Sequence, residues 1–219
     1  MIKMILPRRQ NINKTCYTDP VDHYYRPVLG YMYRKRIEAG LVFLGAIPRN
    51  AILEIGYGSG ILLKTLSEMA DELYAIDIHP EESVVAAMLR KENCNAVLSV
   101  GDLCDMRYPN DMFDAVVSFS TLEHVVDTDQ AAKEIDRVLR STGTAVIGVP
   151  TVGLFLDKLL NVLGQIKISE QHVSDHNKVL NSLQRYFKVE RTMWPRYVPK
   201  YMKLYMICKC TKRGINATN

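Results

Sequence analysis

An apolar run that stops on a glycine-rich turn constrains this chain more than any other feature. Ala51-Ile52-Leu53-Glu54-Ile55 leads directly into Gly56-Tyr57-Gly58-Ser59-Gly60. A short apolar run closed in this way reads as a buried strand. The next stretch, Ile61 to Met69, carries apolar residues at 62, 63, 66 and 69, the spacing of a helix face. Strand, glycine turn and helix together describe a place where the backbone approaches a ligand. Glycines turn sharply and carry no Cβ to clash, and a helix starting at Ile61 offers free N–H groups.

The spacing of the turn selects among ligands. A dinucleotide turn reads G-x-G-x-x-G, whereas this one reads G-x-G-x-G, with Ile61 where the third glycine belongs. Glu54 stands at the end of the strand. A carboxylate there repels a pyrophosphate and favours an ammonium or a sulfonium.

From this point the chain alternates. Leu73 to Ile78 is the next strand, and Pro80 opens a helix with Glu81 and Glu82 in its first turn, as the helix dipole favours. Ala96–Val100 and Phe113–Phe119 are further strands. Asp127 or Thr128 caps a helix with Ala131, Ile135, Val138 and Leu139 on one face, and Thr144–Val149 is a fifth strand ending at Pro150. Such alternation predicts an α/β fold, a parallel sheet covered by helices on both faces.

The rhythm changes after Pro150. Gly153–Ile168 is strongly apolar, with Phe155, Leu156, Leu159, Leu160, Leu163 and Ile166 at helical spacing. Ser174 is expected to cap a last helix carrying Val179, Leu180, Leu183 and Phe187, before strands at Phe187–Glu190 and Lys203–Cys210. Residues 1–20 are polar and aperiodic, and read as a loose arm; 21–47 read as helical, with Tyr24, Tyr25, Tyr31 and Tyr33 clustered. The expected organisation is an arm over 1–20 and a single domain over 21–212, with an insertion or lid at about 151–183.

Composition excludes other classes. At 219 residues and 47% hydrophobic, the chain can bury an ample core and is not disordered. A net charge of +4 from scattered basic residues gives no nucleic-acid stripe. The five cysteines, Cys16, Cys94, Cys104, Cys208 and Cys210, are odd in number and scattered, which suits reduced thiols in the cytoplasm. Cys208-x-Cys210 lacks a second pair at zinc spacing, so no metal is expected. Pro7-Arg8-Arg9 interrupts any leader-like apolar stretch, and no run approaches the ~20 residues of a spanning helix.

Taken together, the motifs resemble the class I S-adenosylmethionine-dependent methyltransferases, specifically their small type 11 group. Glu54-x-Gly56-x-Gly58-x-Gly60 matches the first motif of that family, and Asp77 its ribose-binding acid. Gly101-Asp102-Leu103 matches the adenine-edge motif; Phe113 to Ser118 with Leu122-Glu123-His124-Val125 matches the fourth-strand motif and its turn. Glu134-Ile135-Asp136-Arg137-Val138-Leu139 with Gly143 completes the series. Tyr57 is bulkier than the family's usual residue, and Ser141-Thr142-Gly143 replaces its Pro-Gly-Gly turn.

The resemblance implies a doubly wound, mostly parallel Rossmann-like sheet of about seven strands with a late antiparallel strand. It implies S-adenosyl-L-methionine as cofactor, bound by Glu54, Gly56, Tyr57, Gly58, Gly60, Asp77, Ile78, Asp102, Leu103 and Ser118. It also implies in-line methyl transfer to a small-molecule acceptor, for which positioning supplies much of the rate.

A hydroxyl acceptor needs a base and a carboxylate acceptor does not. His124, at the carboxyl edge of the sheet, is the candidate base, while Glu123 is expected to face solvent. Tyr24, Tyr25 and His172 are candidates for the substrate pocket. His172 and His176 fall on either side of a helix start, so their spacing is not read as a metal pair. The apolar stripe at 153–168 suits a lipophilic acceptor, with peripheral membrane contact as the alternative reading. A nucleic-acid or protein methyltransferase and a non-catalytic cofactor-binding protein are the competing functions. Against exocyclic-amine DNA modification, Ser118-Phe119-Ser120-Thr121 stands where Asn/Asp-Pro-Pro-Tyr/Phe would be.

Overall fold

The computed structural model describes residues 2–17, 19–45, 49–151, 173–195 and 204–213. Seven strands form one sheet in the order β3-β2-β1-β4-β5-β7-β6. They are β1 (Arg49–Ile55), β2 (Ala70–Asp77), β3 (Val97–Val100), β4 (Phe113–Phe119), β5 (Leu139–Pro150), β6 (Phe187–Trp194) and β7 (Tyr205–Lys212). Strands β1 to β5 pair in parallel, and β7 runs antiparallel to both β5 and β6. The doubly wound, Rossmann-like expectation and its late antiparallel strand are met.

Side-chain alternation builds a core on each face of this sheet. Ile52, Ala115, Val117 and Val146 face one layer, which holds Ile37 and Leu41 of α2 (Pro27–Leu41), Leu63 of α3 (Leu63–Leu66) and Val85 of α4 (Glu82–Lys91). Leu53, Val116, Ala145 and Ile147 face the other, with Ile135 of α5 (Thr128–Val138) and Leu183 of α6 (His176–Tyr186). A short α1 (Val21–Tyr24) precedes α2. No described helix is long and apolar enough to cross a membrane.

Some expectations are corrected. The helix read over 61–69 shrinks to α3, because Gly60, Leu63 and Thr65 donate to carbonyls three residues back in successive turns. It is too short to offer a helix-terminus site. The helix near Pro80 begins at Glu82, and the cap of α6 is Asp175, which accepts from the Asn177 and Lys178 amides, rather than Ser174. Ser174 instead donates to the Val125 carbonyl at 2.6 Å. The stripe at 153–168 and His172 lie outside the described residues.

The N-terminal arm is not loose over residues 2–12. Met4 and Ile12 are buried in the core. The Met4 amide donates to Glu38 Oε1 at 3.1 Å, and the Ile5 amide to Thr65 Oγ1 at 2.9 Å. Glu92 accepts from the Arg8 amide at 2.9 Å and from Asn11 Nδ2 at 2.6 Å. Side-chain acceptors from distant helices satisfy this backbone, so it needs no periodic pattern of its own.

Candidate active site

The carboxyl ends of β1, β2 and β4 meet where the strand order reverses, the position at which open α/β sheets bind ligands. Three glycine amides knit the loops there. The Gly56 amide donates to Ile76 O at 2.8 Å, the Gly101 amide to Asp77 O at 2.9 Å, and the Gly58 amide to Asp77 Oδ2 at 2.8 Å. Gly56 has φ +78°, and a Cβ on it would lie 2.1 Å from Thr121 Oγ1. Only glycine fits between β1 and the turn after β4.

Above these loops lies a cavity of about 430 Å³, the size of small-molecule sites. Gly56, Asp77, Ile78, Asp102 and Leu103 line it, as does His124. His124 is exposed, in a 3-10 turn spanning Leu122–His124. Asp102 presents an exposed carboxyl, one oxygen of which accepts from the Cys104 amide at 2.8 Å. Thr121, which the sequence did not single out, also lines the cavity, and its link to Gly56 is visible only in three dimensions.

Glu54 lies beneath the glycine turn, on the same sheet face as Ile52 by strand alternation. It is buried, with Oε2 lacking any hydrogen-bond partner. Burial, and then the nearby Asp77 charge, push its carboxyl well above the ordinary range.

Other candidates sit elsewhere. Tyr57 turns inward, 2% exposed, with its ring edge-on to His79 at 5.0 Å, so its side chain does not line the cavity. Ser118 is fully buried with Oγ unpartnered. Tyr25 hydrogen-bonds the Pro7 carbonyl at 2.6 Å and Tyr24 packs edge-on to Tyr33 at 5.2 Å; neither lines the cavity. Gly58 and Gly60 shape the turn, Gly60 packing against Val85 and Met88.

Glu123 reverses its expectation. It is 2% exposed rather than solvent-facing. The Val173 and Ser174 amides clamp its carbonyl at 3.0 and 2.9 Å, drawing the turn inward. Burial raises its carboxyl to about 7, against the lowering influence of its own backbone amide and of Arg36.

An α/β sheet with a largely apolar cavity at its switch point, edged by glycines and by Asp77 and Asp102, is the frame on which the comparisons with known proteins rest. A methyltransferase domain family model of type 11 matches residues 53–147. Ajmaline N-methyltransferase from Rauvolfia serpentina is 33% identical over 104 residues, covering 46% of this chain and 35% of that protein. The N-methyltransferase NodS from Bradyrhizobium japonicum WM9, solved with S-adenosyl-L-homocysteine, superposes with a TM-score of 0.65 at 16% identity, over 91% and 94% of the two chains. The PH0226 protein from Pyrococcus horikoshii OT3 gives 0.69 at 17% identity, over 90% and 97%. These structural likenesses establish the fold.

Residues 53–147, somewhat under half of the chain, thus match the methyltransferase domain family model, on a fold shared with solved methyltransferases. The chain spans about a third to a half of the length of the first curated relatives it matches.

Proposed function

We propose that this protein transfers a methyl group from S-adenosylmethionine to a small-molecule acceptor. The observation that carries this reading is the buried, unpartnered Glu54 carboxyl beneath a glycine turn whose rim holds Asp77. A buried carboxyl with a free oxygen is costly unless a partner arrives, and the ammonium of an amino-acid moiety is such a partner. Asp77 would accept from ribose hydroxyls, Asp102 from an exocyclic amine, and the Leu103 amide would meet a ring nitrogen, with Ile78 against the base. Gly56, with no side chain, leaves room for close approach. The fit is chemical as well as spatial: acidic groups line the place where a positively charged adenosyl compound would lie.

When bound, the sulfonium supplies an electrophilic methyl carbon. The chain's own contribution is to position donor and acceptor and to exclude water. His124, exposed at the cavity, remains a candidate to hold a proton on the acceptor side.

The relative named for ajmaline and the structural neighbour NodS, titled an N-methyltransferase, support a small-molecule acceptor. The apolar stripe at 153–168 supports a lipophilic one. Five free cysteines support a reducing, cytoplasmic setting.

Calorimetry with S-adenosylmethionine and S-adenosylhomocysteine tests the reading. Binding of both at one site per chain is expected. Failure of both to bind would overturn it.

A further inference from the structure

Tyr57 and His79 meet beside the glycine turn. Their rings lie edge-on at 5.0 Å, and Tyr57 is 2% exposed. The bulky residue within the turn therefore packs against an imidazole that follows closely on Asp77. His79 uses both ring nitrogens. Nε2 lies 2.9 Å from the Gly58 carbonyl oxygen, and Nδ1 accepts from the Glu81 amide at 3.1 Å. A carbonyl only accepts and an amide N–H only donates, so the ring carries its proton on Nε2 and gives it to Gly58. Nε2 is 3.6 Å from Asp77 Oδ2, beyond hydrogen-bond distance.

Gly58 is thereby held at both of its polar atoms. Its amide donates to Asp77 Oδ2 at 2.8 Å, and its carbonyl accepts from His79. The residue adopts φ +49°, in the left-handed region that glycine enters freely. A turn built on Gly56, Gly58 and Gly60 loses much entropy on ordering, and contacts made before a ligand arrives remove that loss from binding. The same arrangement spares Asp77. A carboxylate has about four acceptor positions. The Gly58 and His79 amides occupy one on each oxygen, and the Nε2 proton, turned to Gly58, occupies none. The remaining positions are open to a pair of vicinal hydroxyls.

We propose that His79 is a positioning residue for the adenosyl donor: its Nε2–H holds the Gly58 carbonyl, so that the glycine turn and the Asp77 carboxyl stand in binding geometry before the donor enters. The proposal rests on the methyltransferase reading above and deepens it. His79 does not line the cavity, so it acts through Gly58 and Asp77. Its other nitrogen has a local duty, fixing the chain at the start of α4.

Substitution separates the two nitrogens. A glutamine side chain reaches as far as Nε2 and can donate to Gly58. An asparagine reaches only as far as Nδ1 and can accept from the Glu81 amide, as in an Asx turn. His79→Phe keeps a ring against Tyr57 and loses both bonds. The full chain is titrated with S-adenosylhomocysteine by calorimetry, and exchange of the Gly58 amide is followed by NMR in the ligand-free protein. His79→Gln should bind within about twofold of wild type, whereas His79→Asn and His79→Phe should each lose about five- to tenfold, the scale of a lost hydrogen bond. The Gly58 amide should exchange faster in those two variants and at the wild-type rate in His79→Gln. A role confined to starting α4 predicts the reverse order, with His79→Asn rescued and His79→Gln weak. That order would overturn the proposal, as would equal affinities or equal exchange rates in all four proteins. If His79→Phe fails to fold, His79→Gln against His79→Asn carries the comparison. Failure of wild type to bind S-adenosylhomocysteine would instead remove the methyltransferase reading beneath it, with the exchange rates still telling whether His79 holds Gly58.

Discussion

The amide of Gly58 donates to Asp77 Oδ2 at 2.8 Å, fastening the turn after β1 to the tip of β2. The other oxygen of Asp77 accepts from the His79 amide at 3.3 Å, and its carbonyl from the Gly101 amide at 2.9 Å. One residue therefore fixes loops from three strands and still presents its carboxyl to the cavity.

Asp77→Ala should weaken S-adenosylhomocysteine binding by about 1.5–3 kcal/mol, the worth of charge-assisted hydrogen bonds, or roughly ten- to a hundredfold. Asp77→Asn should fall between, because its carbonyl can still accept from Gly58. Calorimetry on the three proteins measures this. Equal affinities would place the ribose elsewhere.

Glu54 makes a prediction about protons. Burial and Asp77 hold its carboxyl well above the ordinary range, so without a cation nearby it retains a proton where exposed glutamates have lost theirs. A bound ammonium lowers that pKa, and the proton is released. Calorimetry of S-adenosylmethionine in buffers of different ionisation enthalpy, at a pH where exposed glutamates are already ionised, should show proton release in wild type and its loss in Glu54→Gln. A wild-type heat independent of buffer would contradict the assignment of Glu54 to the ammonium.

Much of this frame is legible before any coordinate. Ile52, Leu53, Val116 and Val117 announce strands buried on both faces, and the Gly56-x-Gly58-x-Gly60 spacing announces the turn. What escapes is decided at long range. The arm is ordered by Glu92, whose partners Arg8 and Asn11 lie more than eighty residues earlier. Glu123 sits next to the exposed His124 in a short turn and has no apolar pattern to mark it as buried. Amides some fifty residues onward draw it inward, and its neighbours Arg36 and Tyr205 come from α2 and β7. No local spacing encodes such a meeting.

Glu92 predicts an acid-sensitive arm. Burial alone would raise its carboxyl, but the ion pair with Lys64 and the hydrogen bonds from Asn11 and the Arg8 amide outweigh burial and lower it to about 2. A folded pKa below the unfolded value of about 4.3 stabilises the protein above that value, and the stabilisation is lost as pH falls toward 2. Glu92→Ala should cost about 3 kcal/mol by urea denaturation at pH 7, the scale of a broken buried pair. It should also speed hydrogen exchange at the Arg8 amide. An arm that exchanges as slowly in the variant as in wild type would show that Glu92 is not its anchor.

Glu123 should act in the opposite direction on stability, which separates its contribution from that of Glu92. Burial raises its folded pKa to about 7, while the unfolded value is about 4.3. Between those values the folded chain holds the extra proton, so stability due to this group is fully present below about pH 4 and declines as pH rises through 7. The groups acting on it are Arg36 from α2, which lowers its pKa, and Tyr205 from β7; α6 packs against the same turn with Asp175 and His176 at its start. Glu123→Gln cannot titrate. The difference in unfolding free energy between wild type and this variant should shift against wild type by about 2–4 kcal/mol from pH 4 to pH 8. Urea titrations at several pH values read this effect directly. A difference that does not change with pH would mean that Glu123 titrates as an ordinary exposed carboxyl and is not held in the closed setting described above.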